Sequence, residues 1–259
     1  MFLFVVCFCA CIAGAICGIG GGVIIKPVLD AAGTMDLVSI NFLSGCTVLS
    51  MTAYSVGRSK LTGSSRLDLR VSVPLAVGAA VGGVLGKLLF QVLRARSANP
   101  GRVGAVQAGC LLFLTVVTLL YTLKKSKIHT YRMEKWGVCL LIGFLLGMLS
   151  SFLGIGGGPV NLVVLFYFFS MDTKTAAENS LYIILFSQIA SLLYSFAAKN
   201  VPPISVPALA LMAAGGICGG ICGRGINKRM SERAVDRLFI VLMVIMIALN
   251  AKNLLTFMQ

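Results

Sequence analysis

Gly18-Ile19-Gly20-Gly21-Gly22 is spelled again as Gly154-Ile155-Gly156-Gly157-Gly158, at an offset of 136 residues (18 to 154). Further matches keep almost the same register, which makes an internal duplication the better explanation than chance. At the same offset, Met35-Asp36 matches Met171-Asp172 and Ser44 matches Ser180; at 137, Gly82–Lys87 matches Gly219–Arg224. We interpret the chain as two copies of one unit, each built around a GIGGG loop.

The composition is that of a polytopic membrane protein. Hydrophobic residues make up 58% of the 259, charged residues only 12%, and the mean hydropathy is +0.96. A soluble domain carries about 25% charged residues. The net charge of +14 does not indicate nucleic-acid binding, because the basic residues lie mainly in short loops between apolar runs.

Ten apolar runs follow one another, five in each half of the chain. A helix needs about 20 residues to cross the bilayer. Two runs, 21–33 and 159–170, are much shorter, and each directly follows a GIGGG loop, as discontinuous helices do at a transporter's binding site. The runs are 2–17, 21–33, 37–57, 69–94, 103–123, 135–153, 159–170, 174–198, 203–224 and 234–256.

We therefore predict an all-α membrane protein of two inverted repeats, each with about five helical segments. The first repeat covers 1–123, a basic cytoplasmic linker covers 124–134 and the second repeat covers 135–259. The GIGGG segments are either re-entrant hairpins or broken spanning helices. In the hairpin alternative each half crosses the membrane an odd number of times, so the second half is inverted. Most basic residues then lie on one face, which the positive-inside rule assigns to the cytoplasm, and both termini lie outside. The loops on that face would be 57–70, 124–135, 171–174 and 224–237.

The glycine loops are the first candidates for binding. Glycine allows positive φ and close approach of another group, and the N-terminus of the following half-helix offers unpaired N–H groups that bind anions. If the halves are inverted, the two ends can meet near mid-membrane around one small anion. The alternative is that the glycines only allow tight helix packing.

The sequence resembles the TauE/SafE sulfite-exporter-like family of bacterial membrane permeases. The resemblance rests on GIGGGVIIKPVLDAAG at 18–33, SGCTVLSM at 44–51, GIGGGPVNLVVLF at 154–166 and MDTKTAAENSLYIILFSQ at 171–188. It implies secondary transport across the bacterial cytoplasmic (inner) membrane, in some members of sulfite, sulfonates or related sulfur-containing anions. An aliphatic residue near position 26 is usual in the family, so Lys26 departs from its pattern and can select a carboxylated or differently charged solute.

Polar residues after each half-helix extend the predicted site. Ser44 and Thr47 are three residues apart and share a helix face, and Asn179 and Ser180 lie on the matching helix; hydroxyls and amides can replace an oxyanion's hydration. The alternative for each is a hydrogen bond between helices. The predicted substrate-binding residues are Gly20, Gly21, Gly22, Lys26, Ser44, Thr47, Gly156, Gly157, Gly158, Asn161, Asn179 and Ser180.

Four of the ionisable residues within the apolar runs or at their ends call for an interpretation. Lys26 either attracts the substrate or snorkels to the interface. Glu178 either accepts a coupling proton or favours a helix N-terminus. We place Lys87 and Arg224 near helix C-terminal ends, where a cation offsets the helix dipole, and assign them no transport role.

The predicted function is a multi-pass secondary transporter of a small anion, a sulfur oxyanion or organic sulfonate, with a passive anion channel or a membrane scaffold subunit as alternatives. No Walker loop follows the glycines, and the single His and the nine Cys complete no catalytic or metal set, so we expect no enzyme, no cofactor and no metal. The partners are an anionic solute and the lipid bilayer. A homodimer through the glycine-lined faces 78–86 and 215–223 is a further possibility.

Overall fold

The computed structural model describes residues 1–33, 35–63, 66–97 and 100–258, and these form ten α-helices with no strand among them. A short 3₁₀ turn, Lys125–Lys127, follows the fifth helix. The helices are α1 Phe2–Cys17, α2 Gly22–Ala32, α3 Leu37–Leu61, α4 Leu69–Arg96, α5 Pro100–Lys124, α6 Trp136–Leu153, α7 Pro159–Phe169, α8 Thr173–Ala197, α9 Val206–Arg229 and α10 Glu232–Met258. The predicted all-α membrane fold is confirmed.

Seven helices in the described part of the chain are long and apolar enough to cross a membrane: α3, α4, α5, α6, α8, α9 and α10. The two predicted half-helices are present as α2 and α7, each of 11 residues. At 1.5 Å per residue such a helix is only about 16 Å long. Each half-helix therefore reaches about half-way through the hydrocarbon layer.

The second half-helix returns to the face from which its hairpin starts. The N–H of Tyr131 donates to the carbonyl of Tyr167 at 2.8 Å, and the N–H of Met133 donates to Phe168 at 2.9 Å. The end of α7 thus lies beside the segment that leads into α6. We call this side of the bundle, where α6 and α8 begin, face 2.

The first hairpin starts and ends at the opposite side, face 1, where α3 and α9 begin. Met35 and Asp36, which follow α2, line a cleft with Ser205 at the start of α9. Helix α1 runs parallel to α9, because Phe4 contacts Gly215 and Ile12 contacts Gly223. Helix α1 therefore begins at face 1, the side of the bundle where α2 ends.

Helix pairs in the two halves correspond. Helix α1 packs on α9 as α6 packs on α4, and α3 packs on α9 as α8 packs on α4. Two hairpins that enter from opposite faces are what inverted repeats predict, and we retain inverted repeats as our interpretation of this arrangement.

Glycines set the closest helix contacts. Gly78, Gly82 and Gly86 of α4 lie against backbone carbonyls of α6, and a Cβ at any of them would collide with those carbonyls. The equivalent glycines of α9, Gly215, Gly219 and Gly223, lie against carbonyls of α1. Both glycine-lined faces pack within the chain, so they are not free for a dimer contact; a homodimer stays a prediction without that support.

The basic loops gather on face 2. Arg66 lies 3.9 Å from Asp172, and Lys125 forms an ion pair of 2.6 Å with Asp236. These contacts join the segments 57–70, 124–135, 171–174 and 224–237, as the hairpin alternative predicts. Helices α3 and α9 run beyond their apolar runs, so that several of the basic residues lie on helices rather than in loops.

The proposed division of the chain stays a prediction. The core cluster combines Ile16 and Leu75 with Leu162 and Phe239, so the halves share one core. The segment predicted as a linker, 124–134, includes the end of α5, the 3₁₀ turn and the stretch bonded to α7.

Candidate functional site

Both GIGGG loops use backbone conformations that favour glycine. Gly18 and Gly154 end α1 and α6 in the left-handed region, and Gly20 and Gly156 return to that region two residues later. Gly157 has φ of +142°. A side chain at these positions would be strained, which explains why the repeated pattern is made of glycine.

The two loops meet inside the bundle. A Cβ on Gly22 would collide with the carbonyl oxygen of Ile155, and a Cβ on Gly20 would lie 3.9 Å from the carbonyl oxygen of Gly156. The start of α2 and the loop before α7 are thus in direct contact. The structure brings together the two glycine sets that the sequence singles out.

Several backbone N–H groups at this junction have no acceptor in the described part of the chain. Within the described ranges, no residue accepts a hydrogen bond from the N–H of Gly20, Gly21 or Gly22, or from the N–H of Gly156, Gly157 or Gly158. Unpaired N–H groups at a helix N-terminus favour an anion. Pro159, the first residue of α7, contributes no N–H, so the donors of the second loop lie in the glycines before it.

Ser44 places a hydroxyl beside this junction, and Ser180 occupies the equivalent position of α8. Both side chains are fully buried, and neither hydroxyl has a hydrogen-bond partner among the residues that the structure describes. A Cβ on Gly22 would lie 2.9 Å from Ser44 Oγ. Ser180 lies one helical turn before Ile184, which contacts Gly20 and Gly157. These two serines are the predicted side chains best placed to bind a solute.

Apolar side chains close the junction. Val48 and Ile184 occupy equivalent positions of α3 and α8, and both side chains are buried against Gly20. A Cβ on Gly20 would lie 3.5 Å from a methyl group of each. Gln188 lies beside Gly156. Asn41, whose amide has no partner within the described ranges, packs against Gly154.

Three predicted residues have other surroundings. Thr47 donates to the carbonyl of Leu43 at 2.8 Å and faces Gly216 of α9. Asn179 donates to the carbonyls of Thr175 and Arg66 and accepts from Ser72, which joins α8 to α4. Asn161 is buried in a small cleft against α5 and α6. A role in binding stays a prediction for all three, while their visible contacts are structural.

Lys26 is neither at the interface nor alone. Its side chain is 1% exposed and its ammonium lies 2.9 Å from Asp30 of the same half-helix. Snorkelling is therefore wrong for this residue. The sequence analysis missed Asp30, although the spacing of four residues on a helix is a signal for such a pair. Since Asp30 compensates its charge, Lys26 offers less attraction for a solute than a lone cation would.

Glu178 lines a cavity of about 340 Å³ at face 2. It is the sixth residue of α8, and its carboxylate accepts hydrogen bonds from Ser59 Oγ and from the N–H of Arg66 at 3.0 Å. Cations surround it, since Arg66, Lys174, Arg224 and Lys228 line the same cavity. A proton-coupling role stays a prediction.

The helix-end interpretation of Lys87 is wrong. Helix α4 continues to Arg96, so Lys87 lies more than two turns before the end and is too far inside to offset the terminal dipole. Arg224 also precedes the last turn of α9, and it donates a hydrogen bond to the carbonyl of Ser55. Both cations line cavities, Lys87 at face 1 and Arg224 at face 2.

The match to known families accords with this geometry. Residues 3–249 match the family described as Sulfite exporter TauE/SafE. The chain belongs to this family. TauE/SafE proteins are membrane transporters, which agrees with the apolar helices. No curated protein and no solved structure gives a significant match to the chain.

Proposed function

We propose that the chain is a secondary transporter that moves a small anion, a sulfur oxyanion or an organic sulfonate, through a site between the two GIGGG loops. The observation that carries the proposal is the contact between the loops, where six glycine N–H groups and the hydroxyls of Ser44 and Ser180 have no partner in the described part of the chain. Such donors inside an apolar bundle need an acceptor.

Directed neutral donors suit an anion that must also leave the site. A buried Lys or Arg in direct contact would bind it through a full charge, whereas N–H groups and hydroxyls replace its hydration shell with partial charges. The membership in a sulfite exporter family makes sulfite the first anion to test.

The packing around the loops supports a carrier rather than an open channel. Val48 and Ile184 fill the space beside Gly20, so a solute can reach the junction only if these side chains or their helices move. Helices α3 and α8 carry these residues and the two serines, which makes them the candidates for that movement.

We further propose that face 2 is cytoplasmic and that both termini lie outside a bacterial inner membrane. The basic residues of the loops at face 2 support this orientation through the positive-inside rule.

Sulfite uptake into proteoliposomes tests the function. Purified protein should give uptake that saturates with sulfite concentration, while liposomes without protein should give none. Uptake that rises linearly with concentration would indicate a channel, and an absence of uptake for sulfite and for small sulfonates would reject the proposal.

A further inference from the structure

A second cavity, of about 720 Å³, opens at face 1 and contains a buried cation that the function above does not use. Its wall combines the end of α4, the segment 199–203 and the start of α3. Its charged residues are Asp36, Lys87, Arg94 and Lys199. We call it the face 1 vestibule.

Lys87 is the buried member of this set. It is 8% exposed, and no carboxylate of the described residues lies within ion-pair distance of its ammonium. The ammonium lies over the ring of Phe42, 6.0 Å from the ring centroid. The carboxylate of Asp36 accepts hydrogen bonds from the N–H groups of Val38 and Ser39 at the start of α3.

An uncompensated cation at membrane depth is costly to fold and is by default a functional candidate. The other buried lysine, Lys26, differs from Lys87 because the carboxylate of Asp30 beside it compensates its charge. The missing counter-charge at Lys87 is therefore a feature of the vestibule, and an anion in the cavity would supply it.

Two buried hydroxyls pack against α4 one helical turn before Lys87. A Cβ on Gly83, one turn before Lys87, would lie 2.8 Å from Ser187 Oγ and 3.2 Å from Ser151 Oγ. Neither hydroxyl has a partner in the ranges that the structure describes. Ser187 precedes Gln188, which lies beside Gly156. Two unpaired hydroxyls therefore lie about one helical turn from Lys87, and the residue after Ser187 lies beside the second glycine loop.

We propose that the face 1 vestibule binds the transported anion on its way to or from the glycine junction, with the ammonium of Lys87 as its main contact. This inference rests on the proposed transport function. The face 2 cavity is its counterpart, since Arg224 occupies the position equivalent to Lys87 at the offset of 137 and lines that cavity with three further cations.

The test compares four proteins in proteoliposomes with sulfite as the probe: the unaltered chain, Lys87→Met, Lys87→Arg and Arg96→Gln. Lys87→Met should raise the half-saturating sulfite concentration about tenfold or more, the effect of a lost charged hydrogen bond. Lys87→Arg keeps the charge and should stay close to the unaltered protein. Arg96→Gln removes an equal charge from the exposed end of the same helix, outside the lining of the cavity, and should change the value less than about twofold, because exposed charges are screened.

Binding is measured separately, as the rise in apparent melting temperature that sulfite causes in detergent. Lys87→Met should lose part of that rise, whereas its melting temperature without sulfite should not fall, since the removed charge has no acid partner among the described residues. A lower melting temperature without sulfite, together with an unchanged half-saturating concentration, would assign Lys87 a structural role and overturn the proposal. Lys87→Gln provides a second neutral variant should the Met protein not be recovered.

The two proposals fail in different ways. If the unaltered protein binds sulfite through Lys87 but gives no uptake, the transport function is rejected and the vestibule stands. If uptake saturates normally and Lys87→Met matches the unaltered protein in both assays, the vestibule is rejected and transport stands. If sulfite neither binds nor enters, both are rejected.

Discussion

The two half-helices have the same length and the same preceding loop, but they differ in charge. Helix α2 carries the buried pair Lys26 and Asp30, and the equivalent positions of α7 are Leu162 and Phe166. A half-helix of this fold therefore needs its glycine loop but not an ion pair. The glycines are shared by both halves and are the residues that we propose for the site, whereas the ion pair occurs in the first half alone.

The largest effect is expected where the two loops touch. Gly22→Val places a side chain against the carbonyl of Ile155, and backbone cannot yield as a flexible side chain can. We expect this variant to abolish sulfite uptake while it still inserts into the membrane. Uptake into proteoliposomes, normalised to the amount of reconstituted protein, measures the effect.

Gly57→Val is the matched control, because Gly57 also lies at a helical position but faces open space. It should transport as the unaltered protein does. Normal uptake by Gly22→Val would show that the contact between the loops is not required, and would leave the glycines as packing residues.

The ion pair of α2 should produce the next largest effect, on stability. Lys26→Met leaves the Asp30 carboxylate buried without a counter-charge, which costs about 3–5 kcal/mol. The double variant Lys26→Met with Asp30→Leu copies the apolar character of α7 and should recover most of that loss. Apparent melting temperature in detergent compares the three proteins.

Transport by the double variant then separates two roles for the pair. Recovered stability with normal sulfite uptake would make the pair a local structural feature, as the comparison with α7 suggests. Recovered stability without uptake would give Lys26 or Asp30 a part in transport and break the equivalence of the half-helices. A double variant less stable than Lys26→Met would contradict our account of the pair.

The smallest effect concerns the caps that follow the hairpins. Asp36 caps α3, and Asp172 caps α8 at the equivalent position, where it accepts from the N–H groups of Lys174 and Thr175. Burial acts to raise the pKa of Asp36, but hydrogen bonds from Ser39 and Val38 outweigh it and the net pKa lies below the ordinary 3.8. The pKa of Asp172 is lowered in the same way, by Thr175, Arg66 and Lys174 against the effect of burial.

A carboxyl whose pKa is lower in the folded than in the unfolded protein stabilises the folded state at pH values above its pKa in the unfolded protein. This contribution is lost as the pH falls through its pKa in the folded protein. Asp36→Ala and Asp172→Ala should each cost about 1 kcal/mol at pH 7. The difference from the unaltered protein should shrink below about pH 4, where the carboxyl begins to be protonated. Thermal melts at pH 7 and pH 3 check this, and a difference that grows in acid would contradict it.

Much of the fold could be predicted because bilayer thickness and glycine spacing limit the choices. Apolar runs too short to cross identified α2 and α7, and the distribution of Lys and Arg favoured hairpins over broken crossings. The helix ends were less predictable. Helix α9 continues through Arg224 to Arg229, since basic side chains at a membrane surface do not stop a helix.

The contact between the loops could be predicted, but most side-chain orientations at the site could not. The meeting of the loops follows from the repeat, but which side chains face it depends on helix rotation, which a spacing of three or four residues does not fix. Ser44 and Thr47 share a face by spacing, yet Ser44 points at Gly22 and Thr47 at α9. The position of Lys87 could not be predicted, because an apolar run shows neither where α4 ends nor that a cavity opens beside this residue.

The central claim is that both loops act on one anion, and the most direct test compares Ser44→Ala with Ser180→Ala in a sulfite saturation curve. Each of these unpaired hydroxyls should donate about one hydrogen bond to the anion. Each variant should therefore raise the half-saturating sulfite concentration by about threefold to tenfold. Thr47→Ala, whose hydroxyl is bonded within α3, should leave it nearly unchanged. If one serine variant raises the value and the other does not, the two loops do not share an anion and the account is contradicted.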